Sequence, residues 1–135
     1  MLLELYLKET QQLAEYNATI LNEVRQRLIN GETLSKLEKS GVLHALQVLI
    51  ENAIGKAKIT LKHHNKSVPI SAYDAFESLA ESDLIHIKDL KQWIAIIGLR
   101  NKIVHDYMNI DTNFVLQLVK DHRYQLVVEF LCVTT

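Results

Sequence analysis

The chain has 135 residues, 48% of them hydrophobic and 23% charged, and a formal net charge of −1. That length suits one domain with a single core, and the near-neutral charge excludes a protein that holds nucleic acid through its global field, leaving only a local patch for that task. The longest apolar run, Trp93–Leu99, falls far short of the roughly 18 residues a membrane span needs.

Four glycines and one proline, set among many Leu, Ile, Lys, Glu and Gln residues, predict an all-α fold. The first helix runs from about Leu2 to Ile29, with Leu13, Tyr16, Ile20, Val24 and Leu28 at helical spacing and Asn30-Gly31 as its stop. A turn around Thr33–Lys39 leads to Ser40-Gly41, and Leu43–Lys62 forms the second helix. Gly55 interrupts it at a cost of about 1 kcal/mol relative to Ala, which implies close packing against a neighbour. His63–Pro69 is a loop, and Ser71 with Asp74 has the form of a capping box with a shorter acid, starting a third helix to about Glu81. The fourth helix spans about Lys88–Met108. Asn109–Thr112 turns the chain, Asp111 acts as N-cap, and the last helix covers Thr112–Leu131. No repeat, low-complexity tract or linker divides the sequence. The expectation is one domain over residues 1–135, an up-and-down four-helix bundle with one short extra helix.

Met1–Leu7 carries Glu4 and lacks a basic start followed by an apolar stretch, so no secretory signal is expected. Cys132 is the one cysteine, which rules out an internal disulfide and makes a reducing cytoplasm the expected location. The histidines offer no pair spaced i, i+4 on one helix, so no metal is expected. No phosphate loop or dinucleotide fingerprint is present, and no cofactor is expected. Lys58, Lys62 and Lys66 recur every four residues and, with Lys56 and His63, make a basic strip that is either a solvated face or a phosphate track.

The stretch Arg100-Asn101-Lys102-Ile103-Val104-His105-Asp106-Tyr107 carries the most information. It sets a permanent cation, an amide, an imidazole and a phenol on an otherwise apolar helix, where a buried polar group without a partner costs about 1–3 kcal/mol. At about 100° per residue, Arg100 and Tyr107 sit in the middle of the apolar arc with Trp93, Ile97 and Val104. His105 lies about 140° from Arg100, in a sector shared with Asn101. Lys91, Ala95, Lys102 and Asp106 form the solvent stripe. Arg100 then pairs with a carboxylate on a neighbouring helix (Glu51 is one candidate), snorkels, or serves a dimer seam or an anion site. His105 is a satisfied core histidine or a functional one.

The same stretch resembles the R-x4-H-x-Y motif of HEPN domains, and specifically of the HepT-like toxins encoded beside minimal nucleotidyltransferases (MNT). Arg100, His105 and Tyr107 stand at the motif spacing, Asn101 follows the Arg as in the family, and chain length and helix order agree. Asp106 departs from the pattern, since relatives often carry Gly there; an acid beside His105 either raises the imidazole pKa or faces solvent. The resemblance implies a metal-independent endoribonuclease toxin of a type VII-like toxin–antitoxin pair, cutting RNA by 2′-hydroxyl attack at a composite site of a homodimer. It implies that Arg100 clamps the phosphate, His105 transfers protons, Asn101 orients either, and Tyr107 and Lys102 contact substrate. It further implies neutralisation by an MNT-type antitoxin that transfers AMP to Tyr107. A non-catalytic HEPN module that binds nucleotide or substrate for a transferase, and a helical dimerisation subunit without activity, are the other readings.

Overall fold

The structure is a computed structural model and describes residues 2–133; the domain bounds expected above also take in Met1, Thr134 and Thr135, which lie outside the described residues. The chain forms α1 (Leu2–Ile29), α2 (Lys36–His63), α3 (Ala72–Glu81), α4 (Leu90–His105), α5 (Thr112–Lys120) and α6 (Gln125–Cys132), with 3-10 turns at Ile87–Asp89 and Tyr107–Asn109. No strand occurs among the described residues. The long helix α2 is the hub: it packs against α1, α3, α4 and α6, while α1 also meets α5 and α6, and α3 meets α4. The expected all-α bundle with one short added helix is what the chain adopts.

The core is one contiguous apolar cluster to which α2 contributes Leu43, Leu46, Leu49, Ile50, Ala53, Ala57 and Leu61. Its aromatic centre stacks Phe76 of α3 on Trp93 of α4 at 4.3 Å, with Phe130 of α6 set edge-on to Trp93 at 5.1 Å. Such offset and edge-on pairs add about 0.5–1.5 kcal/mol each beyond the area they bury. They also fix the rotation of α4 about its axis, which decides where its polar residues point. Gly55 behaves as its position suggests: a Cβ there would stand 3.2 Å from the Tyr6 hydroxyl of α1.

Three helix limits differ from expectation. The second helix starts at Lys36, so the turn expected over Thr33–Lys39 is largely helix. Ser35 is its N-cap. The Glu38 N–H donates to Ser35 Oγ at 3.1 Å and the Ser35 N–H donates to Glu38 Oε1 at 2.8 Å, a reciprocal box that satisfies two otherwise orphaned donors. Arg27 of α1 bonds the same carboxylate, and together these contacts hold the Glu38 carboxyl at a pKa of about 2. The fourth helix stops at His105, because Asp106 leaves helical geometry (φ −147°, ψ 42°) and the chain re-forms as a 3-10 turn.

The last expected helix is two helices. Its break follows a pattern that also ends α1, α2 and α3. Past the C-cap a residue in the left-handed region (Gly31, Asn65, Asp83 or His122) bonds back to the helix. In α5, the His122 N–H donates to the Val119 carbonyl and the Arg123 N–H to the Leu118 carbonyl. This is the Schellman closure, which satisfies the orphaned carbonyls of a helix end. Three of the four left-handed positions are filled by Asn, Asp and His, residue types that tolerate it better than most. His122 therefore stops a helix that carries no glycine to announce the stop.

Candidate functional site

Arg100, Asn101, Lys102 and His105 occupy the last turns of α4, and Tyr107 opens the 3-10 turn beyond it. Stacking of Trp93 and burial of Ile97 and Ile103 turn one side of α4 inward. Arg100 sits at the border of that side, half-buried, and its Nε is shut off from solvent without a hydrogen-bond partner among the described residues. Glu51 is not its counterion: that carboxylate is exposed and accepts from the Gln47 amide at 3.4 Å. Val104, expected on the inward arc, is 42% exposed. It lies in the final turn, where that part of the arc has no helix of the same chain to cover it.

His105 is exposed rather than buried, which removes the core-histidine reading. It stands five residues from Arg100, about 140° round the helix. No hydrogen bond links any two motif side chains among the described residues. Two of them are instead held from outside: the Asn101 amide donates to the Tyr73 hydroxyl of α3 at 3.3 Å, and the Tyr107 hydroxyl donates to Ser40 Oγ of α2 at 3.4 Å. Tyr107 does not lie on the helix, so the position near Arg100 on a continued helical wheel does not apply to it. Its ring is 45% exposed on the turn. Asp106 is occupied locally: its carboxylate accepts from the Asn109 side-chain amide at 2.6 Å and closes the turn.

Lys102 stands apart. It points to the far side of α4, about 200° from Arg100, and lines a groove of about 490 Å³ between α4 and α5 whose apolar lining includes Ile96, Leu99 and Val115. The basic strip expected on α2 does not form. Lys56 is buried and donates to the carbonyls of Phe130 (2.6 Å) and Val133, while Lys58 donates to the Ile70 carbonyl at 2.7 Å. Only Lys62, His63 and Lys66 of that set are exposed. Among the described residues no group of three His, Cys, Asp or Glu could hold a metal ion, and no helix is long and apolar enough to cross a membrane. Around the motif, Ile94, Val104 and Met108 leave apolar surface in solvent, Met108 at 90% exposure.

The sequence missed Tyr73 and Ser40 as neighbours of the motif. Both come from other helices, and only the packing of α3 and α2 on α4 brings them in; no local signal marked them.

Comparison with known proteins fits this geometry. A family described as "Ribonuclease HepT-like" matches residues 7–131. The curated mRNA nuclease HepT of Shewanella oneidensis is 31% identical over 86 residues, a stretch that covers 64% of this chain and 64% of that one. Among solved structures, a tri-AMPylated Shewanella oneidensis HEPN toxin in complex with MNT antitoxin superposes with a TM-score of 0.77 at 21% identity, covering 93% of this chain and 96% of the other. A toxin–antitoxin complex with AMP-PNP gives the same TM-score at 19% identity, over 93% and 97%. At those identities the solved structures establish the shared fold.

Proposed function

Because this chain belongs to the HepT-like ribonuclease family, we propose that it is a metal-independent endoribonuclease toxin, controlled by AMP transfer to Tyr107. The observation that carries the reading is the intact set Arg100, Asn101, His105 and Tyr107 at one end of α4, with an Arg100 donor that nothing among the described residues satisfies. RNA brings its own nucleophile. The 2′-hydroxyl attacks the adjacent phosphorus, the bond to the 5′ oxygen breaks, and the products are a 2′,3′-cyclic phosphate and a 5′-hydroxyl. One proton must leave the 2′-oxygen and one must reach the departing 5′-oxygen. An imidazole suits that exchange because it titrates near neutrality. A guanidinium suits the charge that builds on the non-bridging oxygens, since it stays charged and can fork two of them. His105 and Arg100 take these parts, Asn101 orients the phosphate or the imidazole, and Tyr107 contacts substrate; Lys102, on the far side of α4, has no part at the scissile phosphate.

One copy separates Arg100 from His105 round the helix, so the working site is assembled from two. Antiparallel α4 helices about a two-fold axis bring both residue types into one cleft, and the exposed Ile94, Val104 and Met108 supply apolar surface for that contact. A folded variant that stays monomeric is expected to leave RNA uncut.

The partner is a nucleotidyltransferase of the MNT kind, a reading supported by the Shewanella oneidensis HEPN toxin in complex with MNT antitoxin named above. In the transfer, the Tyr107 oxygen bonds to the α-phosphorus of ATP and pyrophosphate leaves. The added AMP brings bulk and negative charge to the end of α4, where it competes with the RNA phosphate for Arg100. The exposure of Tyr107 supports its access to such a transferase. Incubation with transferase and ATP is expected to add one or more AMP masses to the chain, and Tyr107→Phe to abolish the gain.

The decisive experiment is cleavage of total RNA in EDTA by partner-free protein of verified unmodified mass, beside Arg100→Ala and His105→Ala. Cleavage by the wild type alone, with cyclic-phosphate ends, supports the toxin. Intact RNA with unmodified, dimeric wild type favours the non-catalytic nucleotide-binding module instead, a reading to which the net charge of −1 lends some weight.

A further inference from the structure

We propose that Tyr73 is a positioning residue of the site, acting through Asn101; this rests on the ribonuclease reading above. Tyr73 lies in the first turn of α3, whose start is set by Ser71, the Asp74 N–H donating to Ser71 Oγ at 3.3 Å. From there its ring reaches across to α4. The hydroxyl sits 3.7 Å from where a Cβ on Gly98 would stand and accepts the hydrogen bond from Asn101 Nδ2 at 3.3 Å. Gly98 and Asn101 are three apart and share a face of the helix, so the phenol spans one turn of α4 just before His105. A larger side chain at position 98 would meet the hydroxyl.

The contact matters because of what it leaves free. A side-chain amide has two donors and one acceptor oxygen. With the nitrogen held by Tyr73, the Asn101 Oδ1 makes no hydrogen bond among the described residues, and His105 stands four residues on, on the same face of the helix. In the proposed site this oxygen accepts from an imidazole N–H or from a water at the scissile phosphate. Asn101 on its own is a half-exposed side chain in the last turns of a helix, free to rotate. The Tyr73 hydroxyl removes that freedom without itself needing to meet the substrate, and it comes from a different helix, so the packing of α3 on α4 sets the geometry.

Tyr73→Phe tests this, since it deletes only the oxygen and keeps the ring. The expected result is a roughly three- to tenfold fall in kcat with KM unchanged, the scale of one neutral hydrogen bond. The fall should vanish when Tyr73→Phe is made on an Asn101→Ala background. Nuclear magnetic resonance of the folded protein gives a readout that needs no activity: the Asn101 side-chain amide signals should shift in Tyr73→Phe. An unchanged kcat in an active enzyme, an equal loss on the Asn101→Ala background, or unmoved Asn101 signals would overturn the proposal. If wild type fails to cut RNA, the ribonuclease reading falls, and the Asn101 signals alone decide whether Tyr73 holds the amide.

Discussion

Two cations sit against apolar surroundings in this bundle, and they are treated in opposite ways. Lys56, in the middle of α2, is 1% exposed. Its ammonium donates to the carbonyls of Phe130 and Val133 at the end of α6 and lies 5.3 Å over the Phe130 ring. These are carbonyls that a helix end leaves orphaned, so the lysine serves as a C-terminal cap supplied from another helix. Burial pushes its pKa down, yet its hydrogen bonds lie within the fold. Arg100, near the end of α4, is half-buried with its Nε sealed and without a hydrogen-bond partner among the described residues. A satisfied buried charge reads as structure. One left with an unmet donor, at the edge of a surface crowded with polar groups and bare apolar side chains, reads as a place where something else binds.

The contrast makes predictions of different size. Largest is the loss of function at the α4 end: Arg100→Ala and His105→Ala should each reduce RNA cleavage by about 10²-fold or more. Their urea midpoints should stay near that of wild type. An Arg100→Ala protein that fails to fold would break the comparison, because it would make Arg100 a structural residue like Lys56. Next is Lys56→Met, which strands two carbonyls and should lower unfolding free energy by about 1–3 kcal/mol, measured by denaturant titration. Cleavage per folded molecule should hold.

Smallest is a pH effect at a charge that belongs to neither class. The Glu38 carboxyl is held at about 2, mainly by Arg27, against an ordinary 4.5. A depressed acid stabilises the fold fully above its unfolded pKa, and that contribution fades as pH falls from about 4.5 towards 2. Glu38→Gln should flatten this part of the stability profile, by a modest amount since the pair faces solvent. A flattening by Lys56→Met instead would assign the acid limb wrongly.

Much of the bundle was legible from spacing alone, because apolar residues at helical intervals have to be buried together. What was not legible followed from local backbone chemistry. Ser35 and Glu38 spell a capping box, but the nearby Ser40-Gly41 suggested a later helix start; Gly41 is simply carried on the exposed side of α2. The stop at His122 lacked a glycine, and the break at Asp106 lacked both glycine and proline. At the site, the grouping of Arg100, Asn101 and His105 on one helix end could be read from their order. The roles of Lys56 and Lys58 could not, since their partners are main-chain carbonyls 12 or more residues away. Tyr73 and Ser40 were equally hidden, because side chains from other helices enter a site only once the packing exists.

The break at Asp106 has one more consequence. Tyr107 belongs to a short turn outside the hydrogen-bonded ladder of α4, and among the described residues its hydroxyl bonds only to an exposed serine, Ser40. Under the proposed control, a chain carrying AMP and one without it keep the same core and the same helix ends. The two forms should then be equally resistant to cellular proteases. Silencing by this route would store the protein rather than discard it, and the stock could be restored to use by removing a mark, without new synthesis.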